Sequence, residues 1–329
     1  MQAPSSFIGT KPLGQAMQSV AQMPEFRTRS VSRAARMAQL VPTLVLLPTL
    51  ITTGIYIFVF VCWNIYLSLS SSTLLPVYDF AGFDAYTRLW RNPRWTTGVN
   101  NLAIFGALYI VLSLLVGVVL AVLMDQRIKG ENFLRSIFLY PIAISFVVTG
   151  TTWQWILNPS TGLEKFFHDL GWTSFEFSLI TSRETALYAV VIAAVWHASG
   201  FVMVMVLAAL RGVDHDVVKA GRIDGAGMFK IYRRIILPSI WPVIISVLII
   251  LLQFAIKTFD LVLALTHGGP GISTTFPAIF VYDRLFAAGE LAQGAAAAVW
   301  LLIGLTVVLL PVIALGWVLR KQKNGGGHA

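Results

Sequence analysis

The sequence predicts an all-α, polytopic membrane protein with six transmembrane helices, and three observations carry that prediction. Of 329 residues, 57% are hydrophobic and 12% are charged, and the mean hydropathy is +0.75; a soluble domain carries about 25% charged residues. Six apolar runs reach the length of about 20 residues that crosses ~30 Å of hydrocarbon at about 1.5 Å per residue. Lysine and arginine gather between alternate runs, the mark of segments held on the cytoplasmic side.

The runs occupy 40–67, 102–124, 136–157, 186–210, 240–265 and 291–319. The first and last exceed the minimum length, which allows tilt without setting an angle. With the N-terminus placed in the cytoplasm, that side holds 17 of the 24 Lys and Arg residues, six lie outside, and Lys257 falls inside a run. Both termini are therefore expected in the cytoplasm. Residues 1–37 read as a polar, basic tail, 38–320 as the transmembrane domain, 211–238 as its sizeable cytoplasmic loop and 321–329 as a second tail. The first run exceeds the apolar region of a cleavable signal, about 7–15 residues, and is expected to be retained.

The same features exclude several classes. The net charge of +9 follows the loops rather than one folded face, so it marks topology and not nucleic-acid binding. One cysteine, Cys62, lies in an apolar run; it allows no disulfide, zinc cluster or redox pair, and packing is its expected role. His168, His197, His215, His267 and His328 are scattered without metal-ligand spacing. No Gly-rich loop closing in Gly-Lys-Ser or Gly-Lys-Thr is present, so nucleotide energy has to come from another chain. No enzyme activity is expected.

The loop between the fourth and fifth runs has a readable local structure. Asp214 or Asp216 is placed to cap a short helix containing Val217, Val218 and Ala220, which Gly225 ends. A second helical piece with Phe229, Ile231, Ile235 and Ile236 leads to Leu237 and Pro238, where the next run begins. A short helix followed by a glycine turn on the cytoplasmic face fits a docking knob.

This loop carries a resemblance. Lys219-Ala220-Gly221-Arg222-Ile223-Asp224-Gly225-Ala226, followed by Leu237-Pro238, resembles the Glu-Ala-Ala-x-x-Asp-Gly-Ala and Leu-Pro pattern of the membrane subunits of binding-protein-dependent ABC importers. Lys219 and Gly221 depart from that pattern, so the acidic contact made by the family's Glu is not carried over. The sequence Thr266-His267-Gly268-Gly269-Pro270, with Thr274, Thr275 and Tyr282 beyond it, is similar to the periplasmic Thr-x-Gly-Gly-Pro element of the maltose-permease-like sugar group. Gly82-Phe83-Asp84-Ala85-Tyr86 is similar to the group's Gly-Phe-x-x-Tyr stretch. Further stretches, including Phe80-Ala-Gly-Phe-Asp84, Leu139-Tyr-Pro-Ile142 and Ile256-Lys-Thr-Phe-Asp-Leu-Val262, look like those of glucose and mannose importer permeases.

The resemblance covers roughly 40–320 and implies the type I ABC importer permease fold. It also implies a second permease subunit, two copies of a cytoplasmic ATPase, and a periplasmic sugar-binding protein, within the lipid of a bacterial inner membrane. ATP and Mg belong to the ATPase, and no cofactor is expected on this chain. Carried over residue by residue, Ala220, Asp224, Gly225 and Ala226 belong to the coupling helix that meets the ATPase, with Lys219, Leu237 and Pro238 in the same loop.

A substrate path is read from polar groups inside apolar runs, where they are costly and functional by default. Gln253, Lys257 and Asp260 are spaced by four and three, which places them on one face of a continuous helix. They fit either a path for sugar hydroxyls or, for Lys257 and Asp260, a structural ion pair. Gln154 lies between Trp153 and Trp155, and Trp196 precedes His197. These rings suit the apolar faces of a sugar, an interfacial aromatic belt or, at His197, a structural role. The Gly and Ala of 291–299 suit close helix packing.

Glucose or a related monosaccharide is the expected cargo, with an oligosaccharide or glucoside as the alternative. Two rival classes remain. An ion-coupled secondary transporter predicts internal repeats with paired broken helices, which the sequence does not display. A non-transporting scaffold leaves the loop pattern unexplained.

Overall fold

A computed structural model describes residues 33–126 and 129–325 of the chain. Two units divide it, one ending at Phe60 and one beginning at Val61. The expected N-terminal tail lies mostly outside the described residues. Helix α1 (Arg33–Ser68) already begins within its last residues, and the final helix, α13 (Leu291–Gly325), continues into the expected C-terminal tail. In the first unit, residues 46–60 are exposed all round, with Tyr56 stacked on Phe60 at 6.2 Å between ring centroids. Such uniform apolarity belongs to a helix whose solvent is lipid or another apolar helix.

The second unit is built around two long helices, α3 (Pro93–Asp125) and α7 (Ala186–Arg211). The side chain of Asn92 caps α3 by accepting from Arg94 N, and Pro93 occupies its first turn, where the missing N–H costs nothing. Its buried stripe is Asn101, Phe105, Tyr109, Ser113, Gly117 and Ala121, one residue in every four, which makes a single ridge along the helix. That ridge lies against α7, the most deeply buried of the long helices. Approach is close because α7 offers Ala189, Ala193, Ala194 and Ala198. At the crossing, Gly117 faces the side chain of Val202 and the carbonyl of Ser199.

Among the described residues five helices are long and apolar enough to cross a membrane, and a bent pair makes a sixth span if counted together. The continuous third run, 136–157, is the first expectation the structure corrects. α4 (Glu131–Ala143) and α5 (Phe146–Ile156) meet at 102°. Pro141 sits in the last turn of α4, Ile144 is extended, and Ser145 starts α5 by accepting from Val148 N. Proline removes a helical donor, and the serine supplies a new start.

The fifth run is corrected likewise. α10 (Leu237–Ile256) stops at Lys257, and α11 (Asp260–Thr266) starts anew after Phe259. Thr258 turns its hydroxyl back to Phe254 O at 2.9 Å. The second halves of both broken spans, α5 and α11, pack together. A Cβ on Gly150 would lie 2.7 Å from Ala264 Cβ and 2.9 Å from Leu261 O.

Short helices complete the unit: α2 (Asp84–Arg91), α6 (Leu163–Asp169), α8 (His215–Ile223), α9 (Met228–Ile231) and α12 (Pro277–Tyr282). A π-helical turn, Tyr232–Ile236, joins α9 to α10. Cys62, expected to pack, is exposed on α1.

Candidate functional site

The loop after α7 is built as its local sequence dictates. Asp214, in an extended conformation, accepts from Asp216 N at 2.9 Å and caps α8. At the other end, Ala226 N donates to Gly221 O and Gly225 N to Arg222 O, both at 3.0 Å. This is the paired pattern of a Schellman C-cap, and it places Gly225 at φ +74°, where a residue without Cβ is favoured. Gly221, the departure from the family pattern, is buried against Ile231 and Ile235.

Around this turn the surface is apolar. Ile223 is 86% exposed and Phe229 is 80% exposed, with Ala220, Asp224 and Gly225 exposed between them. Lys219 pairs with Asp216 at 2.9 Å on the outside of α8, and both side chains are largely in solvent. Ala226 turns inward against the core. Leu237 and Pro238 lie in the first turn of α10 and are exposed. The whole forms a knob with greasy tips and a charged flank.

A second gathering lies where α5, α7 and α10 meet. The Phe146 ring packs on His197 at 4.3 Å and edge-on to Phe254 at 6.0 Å, and Trp153 meets Trp196 at 6.0 Å. His197 is 7% exposed, and its Nδ1 shares a hydrogen bond with Thr149 Oγ1 at 3.2 Å. That geometry favours the structural alternative for His197. Trp196 remains open, Gln154 is half-buried, and Trp155 points outward on α5.

Gln253, Lys257 and Asp260 are all exposed, but the break corrects their expected arrangement. Gln253 sits in α10, Lys257 is the residue that ends it, and Asp260 begins α11. They do not share the face of one continuous helix, and among the described ion pairs none joins Lys257 to Asp260. The paired broken spans are also a feature that the ion-coupled alternative predicts and that the sequence had not displayed.

At the opposite end of α3 from Asp125, residues 267–275 fold on themselves. His267, Gly268 and Gly271 have positive φ, and the Gly269–Pro270 peptide is cis. Thr274 Oγ1 donates to Gly269 O and shares a hydrogen bond with Thr266 Oγ1, each at 2.7 Å. Asn101 holds this loop onto α3 by donating from Nδ2 to Ser273 O at 2.8 Å and Thr275 O at 2.9 Å. Nearby, Arg94 pairs with Asp283, and Arg284 pairs with Glu290 at 2.9 Å while lying over the Phe280 ring. Sequence reasoning had singled out the loop through Gly268, Gly269, Pro270, Thr274 and Thr275 but missed Asn101 and these ion pairs. The available signal was Asn101, an amide at the edge of an apolar run.

Asn101→Ala would leave two loop carbonyls without their donor, at a cost of about 1–3 kcal/mol each if water does not replace it. We expect a lower melting temperature in detergent and faster hydrogen exchange across 267–275. Unchanged exchange there would mean that Asn101 does not hold the loop.

Among the described residues no group of three or more His, Cys, Asp or Glu side chains is placed to hold a metal ion. The fold and the knob define a class: a helical membrane protein with an exposed, capped loop between its fourth and fifth spans. Residues 113–323 match the family described as binding-protein-dependent transport system inner membrane component. The chain belongs to that family.

A probable ABC transporter permease of Pyrococcus horikoshii is 38% identical over 82% of this chain and 93% of its own length. The trehalose/maltose transport system permease MalF of Thermococcus litoralis is 29% identical over 82% of this chain and 92% of its own. A crystal structure of a bacterial ABC transporter that imports alginate contains a chain of the same fold. The TM-score is 0.70 at 20% identity, covering 85% of this chain and 97% of that one. The protein is thus a transmembrane permease subunit of a binding-protein-dependent ABC importer, a non-catalytic transport component.

Proposed function

We propose that the chain carries glucose or a related monosaccharide from the periplasm to the cytoplasm of a bacterium, by alternating access driven by ATP on a separate ATPase. The observation that carries the coupling is the capped knob, whose exposed Ile223, Asp224, Gly225 and Phe229 are held by the Gly225 turn. Such a surface suits a cleft on two copies of an ATPase subunit, where ATP and Mg act. In this reading a second permease subunit completes the path, a periplasmic binding protein delivers the sugar near 268–270, and both termini lie in the cytoplasm. The loop's lysines and arginines support that orientation.

Gln154, Trp196, Gln253, Lys257 and Asp260 line our proposed path. Lys257 and Asp260 are exposed on this chain and would be costly against hydrocarbon. A hydrated passage, or a polar face of the partner subunit, relieves that cost. The relatives support a carbohydrate, since one is a trehalose/maltose permease and another structure is of an alginate importer. Glucose itself rests on the resemblance of the stretches around Phe80, Leu139 and Ile256.

The test is uptake of labelled glucose into proteoliposomes holding this chain, its partner permease, the ATPase and the binding protein. Uptake is expected to need ATP and the binding protein and to ignore ionophores. Uptake that follows a proton or sodium gradient without ATP would overturn the coupling. Uptake of maltose or trehalose in place of glucose would leave the importer standing and remove the monosaccharide. Lys257→Gln with Asp260→Asn should raise the apparent KM for the sugar about tenfold, the loss of one good polar contact, while ATP hydrolysis continues. An unchanged KM would take both residues out of the path.

A further inference from the structure

Helix α7 ends on Arg211, the residue that hands the chain to the knob. Its Nη2 lies 2.7 Å from Glu131 Oε1 and donates to Met124 O at 3.4 Å, and its Nε lies 3.9 Å from Asp125 Oδ1. Met124 and Asp125 close α3, whereas Glu131 opens α4. Arg135, one turn into α4, also donates to Glu131 at 3.4 Å. Three helix ends therefore meet at one guanidinium.

Arg211 at the C-terminal ends of α3 and α7 and Glu131 in the first turn of α4 agree with the backbone dipoles, whereas Asp125 at the end of α3 opposes its own helix and gains from the guanidinium beside it. The four side chains are 22–39% exposed, so water screens them less than it does Lys219 with Asp216, at 71% and 83%.

Between Arg211 and the capping Asp214 the chain is only Gly212 and Val213. Gly212 N donates to Ala208 O at 3.1 Å and Ala209 O at 3.2 Å, so the link bends where this last turn of α7 opens, and a glycine there resists bending least. A knob that swung about Gly212 would absorb the motion of an attached partner without tilting any span.

We propose that Arg211, with Glu131, Asp125 and Arg135, is a positioning cluster that makes the knob, α3, α4 and α7 move as one body. Displacement of the knob is then delivered to three spans at once. Arg211 touches neither ATP nor sugar; it acts by denying the loop its pivot. The proposal rests on the reading that the knob is where the ATPase docks.

The test uses spin labels at Phe133→Cys on α4 and Lys230→Cys on α9. Both positions are exposed, and Cys62, the chain's one cysteine, is changed to Ser. In the assembled complex with cysteine-free partners, the native chain is expected to show one narrow distance, the same without nucleotide and after ATP–vanadate trapping. Arg211→Gln is expected to broaden that distribution even without nucleotide, and to lower glucose uptake per ATP hydrolysed several-fold while hydrolysis persists.

Glu131→Gln should also broaden the distribution, and the double variant by less than the sum of the two, because they share the Arg211–Glu131 contact. Should Arg211→Gln fail to assemble, Glu131→Gln carries the test with α7 and the knob unaltered. An unchanged distribution in these variants, a native distance that shifts on trapping, or uptake and hydrolysis falling in parallel would overturn the proposal. If the native complex takes up no glucose with ATP, the docking reading or its sugar fails, and the nucleotide-free distances still decide whether Arg211 fixes the knob.

Discussion

Gly225→Asp is expected to abolish ATP-driven uptake while the transmembrane chain still folds. At φ +74° the new side chain occupies the left-handed region, which costs roughly 1–2 kcal/mol for an ordinary residue and less for Asp or Asn. The ideal Cβ meets no atom within 4 Å, so no packing is lost inside the chain. The change falls instead on the exposed tip between Ile223 and Phe229, where a charge must be desolvated if an ATPase cleft is to close over it. Burying such a charge without a partner costs several kcal/mol, enough to dissociate an interface that depends on a few central residues.

Two measurements check this expectation: co-purification of the ATPase, and uptake. Gly171→Asp is the control, since Gly171 also has positive φ, at +93°, with open space around it, yet lies outside the knob. Gly225→Asn separates charge from strain, and should lose less than Asp. Normal uptake with Gly225→Asp, or equal loss with Gly171→Asp, would remove the knob from the coupling.

The second large effect is expected at Gly200→Val, through folding rather than docking. A Cβ there would overlap the carbonyl oxygen of Phe138 in α4. Overpacking between side chains costs about 1–3 kcal/mol because rotamers give way. Here the obstacle is backbone, so α4 itself would have to move off α7. That shift would carry Glu131 and Arg135 with it.

We expect the yield of monodisperse protein to fall at least several-fold and the melting temperature to drop. Gly304→Val on α13 is the comparison, since its Cβ meets nothing within 4 Å, and it should fold normally within this chain. Equal behaviour of the two variants would mean that the α4–α7 crossing does not limit stability.

What the sequence determined by itself is local or additive. Apolar length against bilayer thickness placed the spans, because helix rise is constant and hydrocarbon leaves backbone groups no partner outside the helix. The knob was legible for the same reason. Asp214 caps the helix that starts beside it, and Gly225 ends that helix through its own φ, so neither needs a distant partner.

What only the tertiary structure decided depends on which helix lies opposite. Hydropathy read 136–157 and 240–265 as continuous, although Pro141 and Ser145 marked one break, because an average over a run does not register a single missing hydrogen bond. With α10 ended at Lys257, the regular spacing of Gln253, Lys257 and Asp260 ceased to describe one face.

His197 was open to a sugar contact or a structural role in the sequence, and the structure sets Thr149 and Phe146 against it. Asn101 meets carbonyls more than 170 positions away. Arg211 looked like one loop cation among six until Glu131 and Asp125 were found around it. Each meeting is set by which elements lie together, α7 with α5 at His197, α3 with 267–275 at Asn101, and α3, α4 and α7 at Arg211, and the glycines that permit close approach resemble every other glycine in the sequence until their neighbours are in place.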